Sequence, residues 1–209
     1  MSRSFPIDEN FFCDGHAVVL MSQSLANSGI DPHQLSDWLG SGDDAAMQDL
    51  LSRGVCLPVF FGTDCALDGA TRFVIGDLDE AYEKAWVAKL TGKLSIPCGK
   101  LVLLCGGGSG EELARSISGE APDPDYCIYQ TIDVPPADYR VDVLAYRTSP
   151  TVGLQHEDLD DDELEAKYRH LPAVDEAYVV RLSPLKGDVP VPALVDEVGW
   201  PGVFEFRAA

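Results

Sequence analysis

From residue 55 onward the apolar residues of this chain fall in short runs, broken every few positions by glycine, proline or aspartate. Runs of that kind read as β-strands, and many short strands at close spacing predict a sandwich or barrel rather than a parallel α/β sheet. They occupy residues 55–62, 71–75, 86–90, 94–96, 101–105, 126–134, 139–146, 177–182 and 202–206, after an earlier run at 17–21. Asp68 and Gly69 are a turn signal that joins 55–62 to 71–75 as a hairpin. Thr91 with Gly92, and Cys98 with Gly99, punctuate the next stretch into three short strands joined by two tight turns. Pro135 and Pro136 force a reversal, and 177–182 with 202–206 are expected to form a final strand pair. Within 139–146, Tyr139, Val141, Val143 and Ala145 share one face, while Arg140, Asp142, Leu144 and Tyr146 share the other.

Helix signals are local. Asp31 is a good N-cap ahead of Pro32, Leu35, Trp38 and Leu39 share a face, and Gly40 is placed to end the helix. Asp43 or Asp44 caps a second helix with Met47, Leu50 and Leu51 on one side, closed by Gly54. Leu78, Tyr82 and Trp86 fit a helical turn before the next strand, and residues 111–117 fit a short helix. The expected fold is mainly β, a β-sandwich with a short helical hairpin near the N-terminus and a few peripheral helices. At 209 residues the chain is expected to be one domain, 1–209, with the helical insertion at about 31–53.

The formal net charge is −20, from 35 acidic against 15 basic side chains. Such a field repels nucleic acid and anionic membranes and steers basic partners inward, although acidity for solubility alone produces the same number. No apolar run approaches the roughly 20 residues that span a bilayer, and the start lacks a basic segment followed by an apolar one. Cys13, Cys56, Cys65, Cys98, Cys105 and Cys127 are scattered with no C-x-x-C pair. Reduced thiols in a cytoplasmic protein are therefore expected.

Two segments invite chemistry. Residues 106–110 are rich in glycine after a strand, but satisfy neither nucleotide-binding pattern, and Glu111 and Glu112 occupy the helix start where a phosphate would sit. The stretch from His156 to Glu165 is dense in oxygen ligands, yet it lacks the glycine and the spacing of a calcium loop. It reads better as a capped helix from about 160 to 170, acids at its start, Lys167, Arg169 and His170 at its end, and Leu164, Tyr168 and Leu171 as an apolar stripe. Asp160, Asp161, Asp162, Glu163 and Glu165 are the candidate partner-docking residues. His16, His33, His156 and His170 form no metal-binding spacing, and no G-x-S-x-G elbow is present. No catalytic, cofactor-binding or metal-binding residue is assigned, and no cofactor is expected. Trp38, Trp86 and Trp200 are expected to be core or interface anchors.

Leu94 to Val102, with Pro97 and Gly99 at the turn, and Ile132 to Val141, with Val134, Pro135, Pro136, Tyr139 and Val141, form a strand, turn, strand and V-P-P-x-x-Y-x-V arrangement. It resembles competence protein J, an inhibitor of a DNA-entry nuclease, and similar small bacterial β-sandwich proteins, over residues 70–147. These motifs are turn chemistry, so no catalytic residue transfers. The resemblance implies a protein that acts through its surface. The leading expectation is a non-enzymatic acidic binding protein, an inhibitor or immunity-type partner of a basic protein such as a nuclease, with no direct nucleic-acid or membrane contact. The alternatives are a small enzyme or ligand-binding protein with its site in the mouth of the sandwich, and a structural subunit; the oligomeric state is left open.

Overall fold

The computed structural model describes residues 2–13, 15–64, 67, 70–196 and 198–207. In chain order the strands are β1 (Arg3–Pro6), β2 (Ala17–Ser22), β3 (Cys56–Phe60), β4 (Thr71–Ile75), β5 (Ala88–Ile96), β6 (Lys100–Cys105), β7 (Tyr129–Asp133), β8 (Ala137–Ala145), β9 (Tyr178–Pro184) and β10 (Glu205–Phe206). The helices are α1 (Pro32–Ser41), α2 (Asp44–Arg53), α3 (Glu80–Ala85), α4 (Gly110–Ser118), α5 (Pro150–Gln155) and α6 (Asp161–Tyr168). The larger sheet runs β1-β4-β9-β8-β5-β10 and the smaller β3-β2-β6-β7, antiparallel throughout except for β4 beside β9. The expected β-rich fold is found, but as a mixed one, about 32% strand and 26% helix in two sheets that do not close.

Capping explains where the first helices start. Asp31 accepts hydrogen bonds from the amides of His33 and Gln34, and Asp43 from those of Ala45 and Ala46, satisfying donors that a helix start leaves unpaired. Gly40 remains helical; the left-handed position that ends α1 is Gly42, at φ 65°, directly before the Asp43 cap. α1 packs on α4, and α2 on β3 and β5. Trp200 is buried and donates its indole N–H to the Leu39 carbonyl at 2.9 Å.

Three pairings differ from expectation. β3 joins β2 in the smaller sheet while β4 joins β1 and β9 in the larger, so no hairpin links them; Asp68 and Gly69 lie outside the described residues. β9 pairs with β4 and β8, and β10 adds to the free edge of β5, so the last two runs do not pair with each other. Between Ala88 and Ile96, β5 is one unbroken strand paired with β8 along its whole length, and of the two expected turns only the one at Gly99, φ 73°, forms. Gly92 serves packing instead. A Cβ on it would lie 2.7 Å from Leu57 Cδ1 of β3 in the other sheet. A glycine inside a strand often marks such a close approach rather than a turn.

β8 alternates as its sequence dictates. Tyr139, Val141, Val143 and Ala145 enter the main core, and Leu144 and Tyr146 face the opposite side. On that outer face the register sets rows across the sheet: Lys89, Leu144, Val179, Arg72; then Thr91, Asp142, Arg181, Val74; then Lys93, Arg140, Ser183. The first row lies under Tyr82 of α3 and Trp86, the residue that follows that helix. In the second, Asp142 has no solvent exposure. Its carboxylate accepts from Thr91 Oγ1 at 2.8 Å and Arg140 Nε at 2.9 Å, and from Arg181 Nη2 at 2.6 Å and Nε at 3.2 Å. Arg181 also pairs with Glu83 of α3, which ties the helix to the sheet. Burial pushes the Asp142 pKa up, but the hydrogen bonds from Arg181, Thr91 and Arg140 and the Arg181 charge outweigh it and hold it below the ordinary carboxylate value.

Two outcomes are expected. Leu57 is fully buried, so Gly92→Ala should cost about 1–3 kcal/mol by overpacking. In a Leu57→Ala background, itself about 2–5 kcal/mol down, the same change should cost little; strictly additive urea-denaturation energies would show the two positions to be independent. Asp142→Ala should cost about 1–3 kcal/mol, because Arg181 keeps Glu83 but loses the acceptor of its Nε and Nη2 groups, and Thr91 and Arg140 lose the same acceptor. The native contribution of Asp142 is present above about pH 4, the unfolded carboxylate value, and is lost as pH falls through its lower folded value, so acid titration of the melting temperature should be flatter in the variant.

Candidate functional site

The acidic segment is positioned by two short helices at one end of the larger sheet. Ser149 caps α5 by accepting from the Val152 amide. Tyr178 of β9, fully buried, accepts from the Thr151 amide at 3.0 Å, and its hydroxyl lies 2.8 Å from Thr151 Oγ1. Its ring meets Phe61 edge-on at 5.2 Å, so the start of α5 is fixed to the core. α6 then opens with a reciprocal cap: Asp160 accepts from the Glu163 amide at 2.9 Å and Glu163 accepts from the Asp160 amide at 3.2 Å. Tyr168 is buried, with Leu164 and Leu171 partly buried against the core.

The five predicted docking residues therefore divide. Asp160 and Glu163 hold the helix start, Asp161 and Asp162 are exposed in its first turn, and Glu165 is exposed with Oε1 4.0 Å from Arg147. α6 ends at Tyr168 rather than His170. Glu176 does not belong to this surface: it is buried, paired with Arg72, and accepts from the Tyr82 hydroxyl.

Sequence reasoning missed an apolar groove beside the acids. Leu154 at the end of α5 is 45% exposed and Val203 is 55% exposed. With Phe61, Thr151, Phe204 and Phe206 they line an open groove of about 280 Å³. The local pattern of residues 202–206 predicts a strand, and only the fold brings Val203, Phe204 and Phe206 against Phe61 and Leu154 as a groove wall. His156 connects groove and acidic helix: its Nε2 lies 2.6 Å from the Tyr168 hydroxyl, and its ring stands edge-on to Phe206 at 6.2 Å. Lys167 Nζ lies 3.5 Å from Nδ1. Burial, then the Lys167 charge, push the His156 pKa below its ordinary value against the pull of Asp158.

The other candidates have structural roles. Gly106 must be glycine, because a Cβ would lie 2.7 Å from the Ala17 carbonyl oxygen. Ser109 and Glu112 cap α4 reciprocally, the Ser109 amide donating to Glu112 at 2.6 Å. Cys56 is a buried free thiol whose pKa burial pushes up to about 12; Cys98 is exposed, with Sγ 3.3 Å from Ser22 Oγ. Among the described residues no three His, Cys, Asp or Glu side chains gather as a metal site. No helix of the described residues is long and apolar enough to cross a membrane.

No family model matches the chain, and no curated protein matches it. Among matching solved structures, one described as "Crocagin biosynthetic gene J" is 14% identical, with 88% of this chain and 96% of that chain covered, at a TM-score of 0.43. Another is ComJ, inhibitor of the DNA degrading activity of NucA, from Bacillus subtilis: 10% identical, with the same coverage of 88% and 96%, at a TM-score of 0.33. The resemblance to competence protein J is a weak one, and partners must be argued from this chain's own surface.

Proposed function

We propose that this chain, a single domain over residues 1–209 with its sheets packed as a sandwich, is a non-enzymatic acidic binding protein of the cytoplasm. It docks a basic partner protein through the corner built by α5 and α6, as an inhibitor or immunity-type protein docks the enzyme it neutralises. The observation that carries the reading is the contact of His156 with both Phe206 and Tyr168. It places the exposed apolar pair Leu154 and Val203 beside the most acidic stretch of the chain. An apolar centre rimmed by charge is the usual anatomy of a protein interface. Residues 157–176 hold nine acids against Lys167 and Arg169; without Glu176, eight remain. Their field favours a basic protein and opposes nucleic acid. A nuclease is the partner class that the turn-motif resemblance points to.

The division of labour is testable on a basic protein captured from the native cell at low salt. Replacing Asp160, Asp161 and Asp162 together by Asn should slow association and flatten its dependence on ionic strength, since exposed charges act by steering. Folding should change by no more than about 1 kcal/mol, because Asn also caps a helix. Leu154→Ser should leave association nearly unchanged and speed dissociation. Unchanged association of the triple variant across salt would reduce the acids to a solubilising surface.

The depressed pKa of His156 gives a signed pH dependence. Between its folded value and the unfolded value of about 6.5, the unfolded chain binds more protons, so stability is greatest above that range and falls as pH drops through it. Chemical denaturation between pH 7.5 and 5.5 (roughly one unit either side of the unfolded histidine value) should show this loss, diminished in His156→Gln. An identical pH profile for the variant would remove His156 from the account.

A further inference from the structure

The third row on the outer face of the larger sheet is a cationic pairing inside a chain of net charge −20. Lys93 of β5 and Arg140 of β8 are direct cross-strand partners, and Ser183 of β9 is the next residue along the row. Like charges directly opposite each other destabilise a sheet, yet no carboxylate of the described residues pairs with Lys93. Arg140 is 41% exposed along its side chain and commits only Nε, to Asp142. That bond anchors the guanidinium and leaves its two terminal amino groups without acceptors among the described residues. The Ser183 hydroxyl is also uncommitted among the described residues. Asp142 does not neutralise the row alone, because Arg181 shares it, at 2.6 Å.

We propose that Lys93 and Arg140 form an anion site for the phosphate group of a small soluble molecule. The Arg140 amino groups and the Lys93 ammonium donate to separate phosphate oxygens, and Ser183 adds a hydroxyl donor at the end of the row. Arginine anchored by a carboxylate is suited to this, since its planar fork is held before the ligand arrives. A compact anion is selected over an extended polyanion because charges beyond about 8 Å are screened at physiological salt, whereas a membrane or nucleic acid would meet the acidic surface as a whole. Asp138, opposite Ser95 in the following row, is exposed and opposes binding.

The test is a titration of the full chain with inorganic phosphate at constant ionic strength, read from the amide resonances of β5 and β8. Saturable shifts centred on Lys93 and Arg140 are expected. Lys93→Gln and Arg140→Gln should each weaken binding about tenfold, the scale of one charge-assisted hydrogen bond, and Asp138→Asn should tighten it. Lys93→Gln is the decisive variant because Lys93 makes no ion pair among the described residues and faces Arg140 across the strands, so its melting temperature should be no lower than that of the parent. Shifts that chloride reproduces, that never saturate, or that survive Lys93→Gln unchanged would overturn the site. Co-sedimentation with phosphatidylinositol phosphate vesicles without any response to inorganic phosphate would overturn the assignment to a soluble ligand.

Discussion

Leu57 of the smaller sheet packs directly on Gly92 of the larger, where a Cβ would lie 2.7 Å from Leu57 Cδ1, and β5, the strand that carries Gly92, is a hub of the fold. β5 is hydrogen-bonded to β8 on one side and β10 on the other, and packs on β2, β3 and α2. Any side chain at residue 92 would force the buried Leu57 side chain to shift. The same strand receives the end of α2: the Ser95 amide donates to the Gly54 carbonyl at 2.9 Å, with Gly54 in the left-handed conformation at φ 68°. A Cβ at Gly54 would lie 3.2 Å from the Ser95 amide nitrogen. Two glycines far apart in sequence thus set how closely the smaller sheet and the N-terminal helices approach one strand.

The same contact explains where sequence reading stopped. Features that depend on neighbours three or four residues away were legible: the Asp31 and Asp43 caps, the Gly54 stop, the acidic start of α6, and the alternation along β8. Thr91 with Gly92 looks locally like a turn, and only residue 57, in another sheet, supplies the reason that it is not. Which sheet a strand joins is equally non-local, so the hairpin between β3 and β4 and the pairing of the last two runs were misplaced. At the candidate site, the acidic helix could be read from composition and capping. The groove could not, because Phe61, Leu154 and Phe206 are assembled from three distant segments. Asp142 appeared only as a polar position on the outer face of a strand; its partners come from β5 and β9 as well as from β8.

The distribution of charge is more informative than its sum. Arg72, Lys89, Lys93, Arg140 and Arg181 all lie on the outer face of the larger sheet. Near the covered end of that face the bases are matched: Arg72 by Glu176, Arg181 by Asp142 and Glu83. Lys89 and Arg207 lie over the Trp86 ring, at 4.9 and 3.9 Å from its centre, so part of their interaction is with an aromatic face rather than an acid. At the open end the matching stops with Lys93. The first arrangement holds α3 against the sheet, while the second leaves positive charge facing solvent.

The acidic helix shows the complementary situation, and its cap bears on how it can act. Asp160 and Glu163 satisfy each other's backbone donors, and their negative charges lie where the helix dipole favours them. With Tyr168, Leu164 and Leu171 packed against the core, α6 is already ordered in the unbound chain, which avoids the entropy cost that a disordered acidic tail would incur on binding. Asp161, Asp162 and Glu165 are then displayed on a fixed element, one end of which rests on Tyr168 and the core. Preorganised charge of this kind accelerates encounter without deciding how long a complex lasts. In the proposed complex, residence would come from desolvated apolar area, and in this corner Leu154 and Val203 offer it.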